Sequence, residues 1–117
     1  MTSVATIRIR ELNDRLRTST DPIGGLIING SLVITRSIAD RGNAFIDRCV
    51  SAVRRFDGFT KDNDPHEEHD MAFLDVAGER IFFKVDYYDV SLRHHSPDPA
   101  DPGLTRRVLT IGLAEDY

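Results

Sequence analysis

Residues 71–89 read MAFLDVAGERIFFKVDYYD, two runs rich in aromatic and aliphatic residues on either side of Ala77-Gly78. Two such runs separated by two turn-forming residues predict a β-hairpin. If Ala77-Gly78 is the turn, the numbers of paired residues sum to 155. This register matches opposite charges beside the turn and aromatic rings next to them: Asp75 with Arg80, and Phe73 with Phe82. The chemistry of the pairs therefore supports the register.

The register also assigns the two faces of the hairpin. Alternate residues of a strand point to opposite faces, so one set of four is expected in the core: Ile81, Phe83, Val85 and Tyr87. Extending the pairing beyond the strands brings His69 opposite Asp86. This position predicts a structural His–carboxylate pair with a raised imidazole pKa.

Three further segments are predicted as helices. The spacing of apolar residues indicates helices over 3–17 and 43–56. Asp101-Pro102 is typical of a helix start, an N-cap followed by proline, and the third helix is expected to end near residue 115. Its inner stripe would hold three aliphatic residues: Leu104, Val108 and Ile111.

A second hairpin is predicted at Asn29-Gly30, with strands at 26–28 and 31–35. A single longer strand with a bulge at Gly30 is the competing interpretation. The expected order is therefore helix, hairpin, helix, hairpin, helix. This order predicts one α+β domain over residues 1–117, an antiparallel sheet of three to four strands packed by three helices.

The composition excludes several classes of protein. The chain has 117 residues and one cysteine, which excludes an intrachain disulfide and a Cys-rich zinc site. Cys49 falls on the apolar face of the second helix and is expected to be a buried small hydrophobe. No apolar run approaches the length of a membrane span, and the N-terminus lacks the apolar core of a signal peptide. We therefore expect a cytoplasmic protein with no membrane contact.

The net charge of −4 is unevenly spread along the chain. Residues 1–56 carry +4, residues 57–101 carry −8, and residues 102–117 balance. An acidic segment attracts a basic protein surface and repels nucleic acid. The sequence pI of about 5.5 also argues against direct nucleic-acid binding. The alternative is that the two halves interleave in space and the asymmetry vanishes on folding.

The segment DNDPHEEHD (62–70) is densest in acid–base and metal-binding groups. His66 and His69 are three residues apart, which does not fit the HExxH spacing of zinc proteases. An EF-hand starting at Asp62 would need Gly and Glu where Glu67 and Phe73 stand, and the cysteines of a zinc deaminase are absent. Three interpretations remain open: a structured loop of Asx-turns, a protein-binding surface, or a looser metal site.

Several short stretches are similar to one known family. They are DNDPH (62–66), EHD (68–70), GERIF (78–82), DYYD (86–89), SPDPADP (96–102) and TRRVLTI (105–111). The family is a bacterial domain of unknown function, number 3768, typical of alphaproteobacteria and of their plasmids and integrated elements. The resemblance runs from IRELN (9–13) to Tyr117, with a departure at TSTDP (18–22). It implies an accessory protein of a mobile element, and such elements carry anti-restriction and anti-CRISPR inhibitors.

These observations favour a small non-enzymatic binding protein without a cofactor. We expect it to be an anti-defence inhibitor, and its partner to be a basic surface of a protein or nucleoprotein defence complex. Six acidic residues are expected to face solvent as one contact surface: Asp62, Asp64, Glu67, Glu68, Asp70 and Asp86. Two alternatives stay open. One is a small metal-dependent enzyme that uses His66, His69 and neighbouring carboxylates, and the other is a nucleic-acid-binding regulator that uses the N-terminal arginines.

If these carboxylates face solvent, they contribute to binding and not to folding. Charge reversal of Asp64, Glu67 and Glu68 together is expected to abolish binding and to leave the fold intact, because exposed substitutions usually shift stability little.

Overall fold

The helices lie in the first half of the chain and most strands in the second half in the computed structural model, which describes residues 2–19 and 29–117. The elements are helix α1 (Val4–Thr18), strand β1 (Gly30–Ile34), short helix α2 (Arg36–Ala39), helix α3 (Asn43–Arg55), strands β2 (Met71–Val76), β3 (Glu79–Tyr88) and β4 (Arg106–Leu113), and a 3₁₀ turn (Ala114–Asp116). The four strands form one sheet in the order β1-β4-β3-β2. The α+β class is confirmed.

The predicted hairpin is confirmed pair by pair. Strands β2 and β3 are antiparallel, with Phe73 opposite Phe82 and Asp75 opposite Arg80. Ala77 and Gly78 both have positive φ, 51° and 81°, as a tight turn between the strands requires. The expected inner face is also confirmed in its centre: Ile81, Phe83 and Val85 are buried, and Tyr87 is partly buried.

The third predicted helix is wrong, because residues 106–113 form strand β4. This strand pairs antiparallel with β3 and parallel with β1, so the sheet is mixed and not purely antiparallel. Asp101 does not cap a helix. Its Oδ1 accepts a hydrogen bond of 2.8 Å from the Gly103 backbone N–H, which closes a turn before the strand.

The helix prediction over this segment is wrong because the apolar residues of β4 fit the period of a strand as well as that of a helix. Every other residue of β4 is buried, which is the two-residue period of a strand: Arg107, Leu109, Ile111 and Leu113. The spacing of Leu104, Val108 and Ile111 also fits a helix, and it guided the prediction. In the structure Leu104 is exposed and Val108 lies on the opposite face of the sheet from Ile111.

The prediction at Asn29-Gly30 is met in part. Its first strand, 26–28, lies outside the described residues. Its second strand, 31–35, corresponds to β1, which pairs with β4 from Gly30 opposite Arg107 to Ile34 opposite Ile111. Asn29 takes a positive φ of 53° at the entry to this strand.

The main core lies between one face of the sheet and the helices. The predicted helix over 43–56 is confirmed as α3, and it buries Cys49 and Val53 completely while Ile46 and Val50 pack on them partly exposed. Burial raises the pKa of the Cys49 thiol, which keeps it protonated. The predicted helix over 3–17 is confirmed as α1, which buries Ile9 and Leu12.

The opposite face of the sheet carries a smaller aromatic cluster. Phe82 is buried there beneath the rings of Phe73 and Tyr117, at centroid distances of 6.2 and 5.3 Å. Gly112 lets this cluster form, because a Cβ atom there would lie 2.7 Å from both Phe82 Cε1 and Thr35 Cγ2. None of the helices in the described part of the chain has the length and apolarity that crossing a lipid bilayer requires.

Phe83 is expected to contribute most to stability among the aromatic residues of the hairpin. Its ring is fully buried and packs edge-on against Phe56 and Phe59. Phe83→Ala should lower the free energy of unfolding by about 3–5 kcal/mol, measured by urea denaturation. Phe73→Ala, at a ring that is 38% exposed, should lower it less. A loss below about 1 kcal/mol at Phe83 would contradict the assignment of the inner face.

Candidate functional site: the 57–70 loop and the adjoining pocket

The segment between α3 and β2 is an irregular loop, as the sequence predicts, and it is stabilised by its own polar groups. Asn63 Oδ1 accepts a hydrogen bond of 2.7 Å from the Thr60 backbone N–H, and Asn63 Nδ2 donates one of 2.9 Å to the Gly58 carbonyl. The backbone takes positive φ at Glu67 and His69, 59° and 54°. These conformations are costly for residues other than glycine, so the surrounding contacts must hold them.

Asp64 is the internal acceptor of this loop and is 5% exposed. Its Oδ1 accepts a hydrogen bond of 3.2 Å from the His69 backbone N–H, and its carbonyl accepts one of 3.0 Å from the Glu67 N–H. Its Oδ2 lies 3.7 Å from His69 Nε2. Asp64 therefore shapes the chain, and the expectation that its carboxylate faces solvent is wrong.

His69 has a carboxylate partner, but the predicted one is wrong. Its Nδ1 lies 2.9 Å from Asp14 Oδ1 on helix α1, and the partner is not Asp86. The imidazole also stacks on Phe59, with ring centroids 3.9 Å apart and planes 4° apart. The prediction failed because the hairpin register ends before His69, whose backbone leaves the extended conformation. The contacts of His69 bind the loop to α1.

Arg17 joins α1 to the end of α3 and shows that the N-terminal arginines are not equivalent. Its guanidinium is 5% exposed and donates hydrogen bonds of 2.9 Å to the Val53 carbonyl and 2.6 Å to the Phe56 carbonyl. It also pairs with Asp14 at 3.1 Å. These bonds go to carbonyls at the end of α3, where the helix supplies no N–H four residues further on. Arg17 is therefore a core residue and is not available to a nucleic acid.

A second buried network connects α1 to the middle of the sheet. Arg107 is fully buried, and its Nε donates a hydrogen bond of 2.9 Å to Asn13 Oδ1. Asn13 Nδ2 donates to the Glu68 carbonyl at 3.0 Å and to the Tyr87 hydroxyl at 2.7 Å. The Tyr87 hydroxyl donates in turn to Glu68 Oε1 at 2.9 Å, and burial raises its pKa strongly. The Glu68 carboxylate is thus an internal acceptor of this network.

Asp70 and Asp86 lie together beside this network, in the wall of one pocket. The pocket has a volume of about 310 Å³ and is lined by Asp70, Val85, Asp86, Tyr87, Tyr88 and His95. Asp86 pairs with Lys84 at 3.1 Å. Within the described part of the chain, no Lys or Arg side chain pairs with Asp70, whose carboxylate is bonded to its own backbone amide.

The environment of Asp70 disfavours its ionised form. Burial is the main cause that raises the pKa of this carboxyl, and the charges of Asp64 and Asp86 add to it. The pKa shift is opposed in part by His66, which is exposed at the surface nearby. The pocket therefore contains a carboxylate that lacks a compensating cation among the described residues.

The six acidic residues predicted as a contact surface fall into three groups. Asp64, Glu67 and Glu68 bond within the protein, Glu67 through a hydrogen bond of 2.6 Å from the Thr2 hydroxyl. Asp70 and Asp86 share the pocket, and Asp62 is exposed without joining either group. Charge reversal of Asp64, Glu67 and Glu68 would break internal hydrogen bonds, so the expectation of an intact fold is not supported by their positions.

The metal hypothesis rested on His66 and His69. His69 is engaged by Asp14, and His66 is exposed. Among residues 2–19 and 29–117, no group of three or more His, Cys, Asp or Glu side chains is arranged to hold a metal ion.

Tyr88 and His95 are pocket residues that the sequence analysis did not connect. The chain turns back after β3, and an isolated antiparallel bridge places His95 beside Tyr88. The Ser96 backbone N–H donates a hydrogen bond of 2.9 Å to the Tyr87 carbonyl and fixes this return. The available signal was Asp89 followed two residues later by Ser91, a pattern typical of an Asx-turn.

The model of one family, described as a protein of unknown function (DUF3768), matches residues 34–116. The chain belongs to DUF3768. The match includes the loop, the hairpin and the whole pocket of this DUF3768 domain, whereas α1 precedes it. No curated protein and no solved structure matches the chain significantly.

Asp62 and Asp64, two residues apart in the DUF3768 domain, should differ in how much their substitution changes stability. Asp64→Ala removes the acceptor of the His69 N–H inside a buried turn and should lower the free energy of unfolding by about 1–3 kcal/mol. Asp62→Ala changes an exposed residue and should alter it by less than about 0.5 kcal/mol. Equal effects in thermal or urea denaturation would contradict the division between internal and exposed carboxylates.

Asp70→Asn should stabilise the domain at neutral pH, by about 0.5 kcal/mol or more. The pKa of Asp70 is raised in the folded state, so its ionised form opposes folding. This penalty is complete above the folded-state pKa and vanishes below the unfolded-state pKa near 4. The stability difference between variant and parent should therefore shrink as the pH falls through the acidic range.

Asp57→Asn is the matched control for this experiment, since Asp57 is an exposed carboxylate of the same loop. Its stability should follow that of the parent within about 0.5 kcal/mol at each pH. A destabilised Asp70→Asn variant at neutral pH would show that the Asp70 carboxylate has a structural role.

Proposed function

We propose that the protein is a non-enzymatic binding protein whose partner places a cationic group in the pocket beside Asp70. The observation that carries this proposal is the position of Asp70: a partly buried carboxylate next to Asp86, with no Lys or Arg paired to it in the described residues. A cation from a partner would neutralise a charge that the domain itself leaves uncompensated. Residues that reduce stability in this way are frequent at functional sites.

The charge of the surrounding segment supports a basic partner. Residues 57–101 carry a net charge of −8, and they supply every residue that lines the pocket. Long-range attraction by such a segment accelerates encounter with a basic surface, and salt weakens it. The function that we propose is therefore protein association without a cofactor.

We further propose that the partner is a protein or nucleoprotein complex of a host defence system, which the protein inhibits in the cytoplasm. Effector complexes that bind nucleic acid carry basic surfaces, because phosphate contacts dominate their affinity. An acidic protein can occupy such a surface in place of nucleic acid. The kinship with proteins of plasmids and integrated elements, implied by the sequence resemblance, is consistent with this role.

A plaque assay tests the proposal in cells. The protein is expressed in paired host strains that contain or lack a CRISPR effector complex or a restriction enzyme. Expression should raise phage plaque counts on the defended strains and leave those on the undefended strain unchanged. The Asp70→Asn, Asp86→Asn double variant should lose this effect, whereas Asp57→Asn should retain it.

Direct binding to the purified defence complex provides the second measurement. The double variant should bind about tenfold more weakly or worse, because about 1.4 kcal/mol of lost charge interaction corresponds to a factor of ten. Binding of the parent should weaken between low and physiological salt. If the double variant folds and still protects phage as well as the parent, the partner surface lies elsewhere and the proposal is wrong.

A further inference from the structure

The segment between β3 and His95 is a loop whose hydrogen bonds converge on one carboxylate. Asp89 Oδ1 accepts hydrogen bonds from the Ser91 hydroxyl at 2.8 Å and from the backbone N–H groups of Ser91, Arg93 and His94 at 3.2, 3.1 and 3.4 Å. The Asp89 N–H donates to the His94 carbonyl at 2.8 Å and closes the base of the loop. The Ser91 hydroxyl and these amides hold the pKa of Asp89 below its usual range.

This loop, residues 89–94, presents large apolar side chains to solvent. Val90 is 55% exposed and Leu92 is 50% exposed. Leu92 also has a φ of 60°, in the left-handed region that a leucine adopts at a cost. The Asp89 carboxylate, the Ser91 hydroxyl and the backbone N–H groups of the loop are bonded to one another, whereas Val90 and Leu92 are exposed beside the exposed side chains of Arg93 and His94. This distribution favours contact with another protein, because exposed apolar groups on a preorganised loop lose little entropy on binding.

The 89–94 loop and the pocket are parts of one surface. Tyr88 precedes the loop and His95 follows it, and both residues line the pocket with Asp70. The His95 and Tyr87 rings meet edge to face at a centroid distance of 6.3 Å. The pocket therefore offers aromatic rings and carboxylates, and the loop that joins two of its lining residues carries the exposed side chains of Val90 and Leu92.

We propose that this surface binds a protein segment in which an arginine side chain is flanked by apolar residues. The inference rests on the proposed function and specifies the chemistry of the partner. The carboxylate of Asp70, which has no paired Lys or Arg among the described residues, complements the positive charge, and Asp86 adds a second carboxylate that also pairs with Lys84. The rings of Tyr88 and His95 offer faces on which a planar guanidinium stacks. A guanidinium is also more weakly hydrated than an ammonium group and enters such a pocket at lower cost. The apolar neighbours of the arginine contact Val90 and Leu92.

Nuclear magnetic resonance titration tests this with three acetylated, amidated tripeptides: Leu-Arg-Leu, Leu-Lys-Leu and Leu-citrulline-Leu. Citrulline has the shape of arginine without its charge. The arginine peptide should bind more tightly than the citrulline peptide by about tenfold and more tightly than the lysine peptide by a smaller factor. The amide shifts should map to Asp70, Tyr88, His95 and the 89–94 loop.

Variants separate the two parts of the surface. Asp70→Asn should reduce the preference for arginine over citrulline. The double variant Val90→Ser, Leu92→Ser should weaken all three peptides together, and its melting temperature reports whether it is folded. Val4→Ser, at a residue 85% exposed at the start of α1, is the matched apolar control and should bind as the parent does.

Each contrary result has a defined meaning. Equal binding of the arginine and citrulline peptides, or shifts confined to another face, overturns the inference. Equal binding of the arginine and lysine peptides overturns the choice of guanidinium and leaves a cationic partner. If no peptide binds and the protein still protects phage through Asp70 and Asp86, the inference fails while the proposed function stands. If the protein binds the arginine peptide but does not protect phage, the proposed function fails while the inference about arginine binding stands.

Discussion

The buried guanidinium of Arg107 lies at the centre of a hydrogen-bond network that holds α1, the 57–70 loop and the sheet together. Burying a cation is costly unless its N–H groups find acceptors. Here Asn13 accepts from Nε and the Pro99 carbonyl from Nη2, and the ring of Tyr87 lies 5.2 Å from the central carbon, whereas Nη1 has no hydrogen-bond partner among the described residues. Asn13 then directs its own N–H₂ group to Glu68 and Tyr87. Because each partner belongs to a different segment, displacing one leaves several buried groups unsatisfied. The position of the loop is thus fixed from inside the molecule.

Local pairing explains why part of this fold could be predicted from the sequence. In the β2–β3 hairpin the turn and the matched pairs lie within twenty residues, so side-chain chemistry alone sets the register. Strand β4 has no such local signal. Its parallel neighbour β1 lies far away in sequence, and a short apolar run such as VLTIGL fits helix and strand periods alike. The alternation of buried residues that identifies it, from Arg107 to Leu113, includes an arginine that pattern analysis assigns to the surface.

In the candidate site, too, the features that depend on nearby residues could be predicted, whereas those that depend on distant residues could not. The sequence correctly located the acidic loop, but it did not separate the internal carboxylates from the accessible ones. That separation depends on Thr2, Asn13 and Asp14, which precede the loop by some fifty residues or more. The proximity of Asp70 and Asp86 could have been predicted from the sequence, because continuing the hairpin pairing past Met71 brings Asp70 opposite Val85. In the structure the Val85 N–H donates a hydrogen bond of 2.7 Å to the Asp70 carbonyl.

The central position of β4 has a consequence for how the chain folds as it is synthesised. The β2–β3 hairpin and helix α3 rely on nearby residues and can form early, whereas β1 must wait for a partner that is translated roughly seventy residues later. During that interval Leu32, Val33 and Ile34 have no β4 strand to pair with. An unpaired apolar strand is a template for association with other chains. Newly made copies would therefore be most prone to aggregate before β4 leaves the ribosome, and slow translation or shielding by a chaperone would matter most in that window.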